Sequence, residues 1–203
     1  MKIYFTTEKK DEIERIMQQF EKQLSKQEIL KGAAQGINSA LSRSIPRINK
    51  QVKNEYNISQ KYLSRMATVF PKANSYNLYG GIHINDKRLP IIAFKPKQKG
   101  SSIAVTIHKG KTEIIRNSFI ATMSSGHTGV FSRGRYDKRD FVPERKKTAS
   151  GKTRITQVHT ASVFAMGVSK SVANDVQTFM GAEAVARVEG ILRSKVEKIA
   201  KNF

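Results

Sequence analysis

The sequence predicts an α+β fold, on three observations. Residues 8–66 and the stretch from Ser171 onward carry apolar side chains at the three- and four-residue spacing of amphipathic helices. Residues 67–132 are instead short runs rich in Ile, Val, Phe, Tyr and Thr, separated by Gly, Asn, Asp and Lys, which reads as strands and turns. The two patterns are segregated along the chain rather than alternating, which distinguishes α+β from a wound α/β fold.

The elements follow in order. Ile13, Ile16, Met17, Phe20 and Leu24 predict a helix over 8–24, with Glu8, Asp11 and Glu12 early, where the helix dipole favours acids. Ser25-Lys26-Gln27-Glu28 is a capping box that opens a second helix. Its apolar positions are Leu30, Ala33, Ala34, Ile37, Leu41, Ile45 and Ile48, and its small residues, Gly32, Gly36 and Ala40 among them, suit close packing. Pro46 predicts a kink or interruption, because it lacks a donor and crowds the preceding turn; the helix resumes to about Glu55. Ser59 is placed to cap a short third helix through Met66.

Strands are predicted at 67–70, 76–85, 89–94, 102–108, 113–123 and 129–132, as a central antiparallel sheet, open or curled. Asn85-Asp86-Lys87-Arg88 and Lys109-Gly110-Lys111 are its tight hairpin turns. Phe141-Val142 and residues 154–159 extend it. A helical turn at 162–166 precedes a C-terminal stripe of Val172, Val176, Phe179, Met180, Ala184, Val188, Ile191, Leu192, Val196 and Ile199. Gly181 could divide that stripe into a helix pair. The organisation is one α+β domain over 1–203, with 1–24 as an extra N-terminal helix.

Composition narrows function. With no cysteine in 203 residues, disulfides, Cys-ligated zinc, iron–sulfur clusters and thiol nucleophiles are excluded. Lys and Arg number 37 against 16 Asp and Glu, a formal charge of +21, which attracts DNA, RNA or acidic protein faces. Residues 91–168 hold 15 basic and four acidic residues, over half the excess. Within them lie Arg133, Arg135, Lys138, Arg139, Arg145, Lys146, Lys147, Lys152 and Arg154, against Asp137, Asp140 and Glu144. Residues 143–153 have no apolar periodicity, so 133–154 reads as a mobile basic loop or arm. Its nine cations are the candidate DNA- or partner-binding residues.

No apolar stretch approaches the ~18 residues of a membrane span. Residues 1–7 lack the apolar core of a signal peptide, so synthesis in the cytosol is expected. No catalytic residue, metal site or cofactor is assigned. His83, His108, His127 and His159 form no ligand-spaced pair. Asp137 and Asp140 could hold Mg²⁺ near a phosphate, but pairing with Arg135 and Arg139 is the simpler reading. Residues 124–129 lack the ending and following helix of a phosphate-binding loop, and no nucleophile elbow occurs. Without a finger, zipper or RNA-recognition motif, DNA contact would be to the backbone and independent of sequence.

Several segments, in order, resemble the phage minor tail protein Z family, the tail-completion proteins of long-tailed phages and prophages. They are the small-residue helix Gly32–Leu41 with Gly36-Ile37-Asn38-Ser39; the helix end and capped turn Val52–Leu63; Arg88-Leu89-Pro90-Ile91-Ile92-Ala93-Phe94; Asn117-Ser118-Phe119-Ile120-Ala121; and Thr160-Ala161-Ser162-Val163. The resemblance covers roughly residues 28–200. Pro46, Thr160-Ala161 in place of Gly-Pro, and the helix over 1–24 depart from it. It implies a virion structural protein without catalysis, made in the host cytoplasm and added late at the head-proximal end of the tail as a ring of copies. Its partners would be other tail or neck proteins (tube, terminator, connector), with the genomic DNA backbone as a further partner and no membrane. A sequence-independent nucleic-acid-binding protein acting through a basic patch is the alternative, and a metal-dependent nuclease using Asp137 or Asp140 the third reading.

Overall fold

A computed structural model describes residues 2–4, 8–64, 66–137, 140–143, 147–167 and 169–201. The fold is α+β. In chain order the elements are β1 (Lys2–Tyr4), α1 (Glu8–Gln19), α2 (Lys26–Glu55), α3 (Gln60–Leu63), β2 (Ala67–Val69), β3 (Gly81–Ile84) and β4 (Arg88–Pro90). A 3₁₀ turn (Ile91–Phe94) leads to β5 (Lys97–Lys99), β6 (Ser102–Thr106), β7 (Thr112–Arg116), β8 (Ser118–Thr122) and β9 (Thr128–Ser132). Then come β10 (Gly134–Asp137), β11 (Asp140–Pro143), β12 (Thr156–Gln157), β13 (His159–Ser162), α4 (Val163–Gly167) and α5 (Lys170–Ala200).

The chain forms two compact units. The first comprises residues 1–51, 65–85 and 167–203, and contains α1, most of α2, α5 and the antiparallel sheet β1-β3-β2. Its core is a stripe at four-residue spacing on α5: Val172, Val176, Met180, Ala184, Val188 and Leu192, none more than 1% exposed. Ala33, Ile37, Leu41 and Ile48 of α2 are buried in the same unit. The two helices run antiparallel and very close. A Cβ added at Gly36 would meet the Val188 backbone, and one added at Gly32 would meet Leu192. Small residues are therefore required here for contact, as the sequence suggested. Asn38 fastens the loop before β3: its amide donates to the Ala73 carbonyl at 2.8 Å and accepts from the Ala73 N–H at 2.9 Å.

The capping box forms as expected. The Glu28 carboxylate accepts from the Ser25 N–H and hydroxyl at 2.9 and 2.6 Å, and these bonds hold Glu28 below the ordinary carboxylate range. Pro46 does not interrupt α2. It lies on the exposed side, whereas Leu41, Ser44 and Ile48 on the other side are buried, and packing outweighs the lost backbone bond. Gly181 does not divide α5 either. A Cβ there would come 3.0 Å from Lys9 Cγ of α1, so the glycine marks a close helix crossing rather than a break.

The second unit comprises residues 52–64 and 86–166. Instead of one central sheet it holds four small antiparallel ones: β5-β6-β7, β12-β9-β8, β13-β4 and the hairpin β10-β11. Phe94, Leu89, Ile91, Ile103, Val105 and Val130 form its core, each no more than 2% exposed. The turn at Lys109–Lys111 joins β6 to β7 as predicted, with Gly110 at φ +83°. Other expectations are corrected. Asn85–Arg88 is not a hairpin turn, because β3 pairs with β1 and β2 while β4 pairs with β13. The run 89–94 is strand only to Pro90; a continuous apolar run has no period to separate a strand from a buried turn. The run 113–123 is two strands, because Asn117 adopts φ +53°, a left-handed conformation that asparagine tolerates. Ser59 makes no side-chain cap; its N–H donates to the Ala93 carbonyl at 3.1 Å, and α3 ends at Leu63. Strand 76–85 shortens to β3, because Asn74 Oδ1 accepts from the Tyr76 and Asn77 N–H groups at 2.9 Å and makes a turn there.

Candidate functional site

Among its described residues the basic segment contains two strands. β10 and β11 pair from Gly134↔Pro143 to Asp137↔Asp140. A second turn closes with a bridge between Lys147 and Thr153, where the Thr148 N–H donates to the Lys152 carbonyl at 2.8 Å and Gly151 takes φ +74°. Lys147, Lys152 and Arg154 are exposed. Arg135 has its place in β10, and Lys138, Arg139, Arg145 and Lys146 lie outside the described residues. Arg133 is exposed at the base of the hairpin, its guanidinium 5.4 Å from the centre of the Phe119 ring, an attractive cation–π placement. Arg133 and Thr153 share the wall of an open cavity of about 430 Å³ with Ser101, Asn117, Ser118, Phe119 and Pro143.

The two units differ in what their charges do. In the first, acids on α5 hold cations of α2 and of α5 itself. Arg47 grips Asp175 with two bonds of 2.7 and 2.6 Å. The bonds from Arg47 keep the Asp175 carboxyl below its ordinary range and raise Arg47 in turn. Glu183 lies 3.4 Å from Arg43 and 2.8 Å from Arg187, and Glu189 lies 2.7 Å from Arg193. The second unit has 19 Lys and Arg against six Asp and Glu, a formal +13. Lys111 and Glu113 lie 3.4 Å apart in it. An excess of that size gives the unit a positive field whatever its local pairings.

The buried serines find partners within the fold. Ser44, Ser118, Ser132 and Ser162 are buried, and each hydroxyl donates to a carbonyl or carboxylate: those of Ala40, Arg116, Asn117 and Asp86. The His108 ring lies tilted against Tyr56 at 4.4 Å, His127 meets Phe131 edge-on at 6.2 Å, His159 lies against the Gln157 carbonyl, and His83 is exposed on β3. Among the described residues no group of three His, Asp or Glu could hold a metal. Asp137 and Asp140 are register partners at the hairpin end. Among the described residues no helix is long and apolar enough to cross a membrane.

The sequence reading passed over Lys97, Lys99 and Arg116, which β5 and β7 carry at exposed positions of one sheet. The signal was the alternation Lys95-Pro96-Lys97-Gln98-Lys99, which has a strand's period of two but reads as linker on composition.

Fold and surface together define an α+β class of helix-and-small-sheet protein whose distinguishing feature is its positive charge. The family can be stated: the chain belongs to the prophage minor tail protein Z (GPZ) family, whose model matches residues 13–198. Comparison with curated proteins and with solved structures finds no match. The chain is accordingly a structural component of a phage tail, and other tail components are its partners.

Proposed function

We propose that this protein completes the tail at its head-proximal end, assembling as a ring that helps join head to tail and positions the DNA. The observation that carries the reading is the formal +13 charge of the second unit. Copies arranged around a closed axis would sum their fields into a positive collar, which suits a passage for DNA or acidic faces of tube and connector proteins. The basic arm, Arg133 to Arg154, is the part of each copy that would reach these partners. The family match supports the tail role, and the exposed positions of Arg133, Lys147, Lys152 and Arg154 support contact through the arm.

A gold label on a tagged copy, viewed by electron microscopy in assembled particles, tests the position. Label clustered where tail meets head is the expected result. Label along the tube or at the distal tip contradicts the reading.

A further inference from the structure

We infer that the open face of the β5-β6-β7 sheet and the adjoining Arg133 cavity form one binding surface for the phosphate backbone of duplex DNA. This deepens, and rests on, the DNA-positioning part of the proposed function.

The register sets the face. Lys97, Ala104 and Ile114 form one cross-strand row, Lys99, Ser102 and Arg116 the next, and Thr106 with Thr112 a third. The alternate residues Ile103 and Val105 are at most 1% exposed, so that side faces the core and the row side faces out. Ile114, at 52% exposure, and the exposed Lys97, Lys99, Thr112 and Arg116 agree, while the small Ala104 in the middle strand is covered. Lys97 and Lys99 stand about 7 Å apart along β5, and Arg116 lies two strands from Lys99, about 10 Å away. None of these eight side chains is a carboxylate; Glu113 falls on the opposite side by alternation.

The cavity lies at the end of the same sheet. Ser101 and Asn117, on its wall, directly neighbour Ser102 and Arg116 in the last row. Arg133 stands at the same cavity over Phe119, which restricts its guanidinium before any ligand arrives. The other groups available are hydroxyls and an amide, which donate well to phosphate oxygens. The mixture decides between two kinds of polyanion. Protein interfaces are depleted of charge at their centres, whereas protein–DNA interfaces are polar and strongly positive. The cations, hydroxyls and amide of this face suit phosphate oxygens rather than base edges, so binding should not depend on base sequence.

The test measures duplex affinity of the full chain against salt by fluorescence anisotropy. The triple variant Lys97→Gln/Lys99→Gln/Arg116→Gln is compared with Lys22→Gln/Lys26→Gln/Lys72→Gln, which removes the same charge from exposed positions of the first unit. At about 0.9 per phosphate contact, the log–log salt slope should fall by about 2.7 in the first and change little in the second. The double variant Lys97→Gln/Lys99→Gln keeps Arg116 and should lose about 1.8, should the triple fail to fold by circular dichroism. Arg133→Gln should also lower the slope, and scrambling the duplex should change nothing. Equal losses in the triple and its control overturn the site. So does a chain that binds poly-glutamate but not duplex, which assigns the face to an acidic protein. Absent duplex binding with the gold label still at the head-proximal end sinks the DNA site alone; duplex binding with the label elsewhere sinks the position alone.

Discussion

Two glycines in the α2/α5 pair should respond oppositely to the same substitution. A Cβ at Gly36 would lie 2.7 Å from the Val188 Cα, N and Cγ2 atoms. Two of those are backbone and cannot step aside, so α5 must move away from α2. Overpacking of this kind costs about 1–3 kcal/mol. Alanine recovers up to about 1 kcal/mol through helix propensity, so Gly36→Ala should destabilise by about 1–2 kcal/mol. At Gly190 nothing lies within 4 Å of the built Cβ. There the propensity gain stands alone, and Gly190→Ala should stabilise by about 0.5–1 kcal/mol. Gly32→Ala should fall between them, because its obstacle is the movable end of Leu192. Urea unfolding followed by helical circular dichroism reads all three, since α1, α2 and α5 are all in the first unit or mostly so. The reasoning is refuted if Gly36→Ala matches the wild type, or if both alanines shift the midpoint in one direction.

Two further outcomes are expected. Phe94→Ala removes the largest fully buried side chain of the second unit and should cost about 3–5 kcal/mol in denaturant titration. Asp175 has a lowered pKa in the fold, so its pairing with Arg47 contributes above the ordinary carboxylate value of 3.8 and is lost as pH falls through the lowered one. The stability advantage of wild type over Asp175→Asn at pH 7 should therefore shrink on acidification toward pH 3, and an advantage independent of pH would count against that pairing.

Helices were legible because burial fell on one repeating side: the α5 stripe from Val172 to Leu192 is the sequence pattern made solid. Their imagined breaks were not real, because propensity at Pro46 and Gly181 is local while packing is collective. The strands were found mostly in place, yet their partners were not. Nothing local to Asn85–Arg88 says that β4 will pair with β13, some seventy residues on. Asn117 turns a single apparent strand into two by one backbone angle, which composition does not show. The segments that resembled the family prove to be points of tight constraint. Asn38 grips Ala73, Asn117 turns a corner, and Ser162 donates to Asp86 at 2.7 Å while accepting from the Ala165 N–H. At the candidate site, charge was readable by counting, but a face is a property of register. Arg133 was singled out by its cluster. Lys97, Lys99 and Arg116 needed the pairing of β5, β6 and β7 to become neighbours.

The most direct measurement is electron microscopy of particles made with and without this gene. The account predicts that its loss leaves DNA-filled heads and complete tail tubes that fail to join stably. Intact, infectious particles in its absence would contradict the tail-completion role.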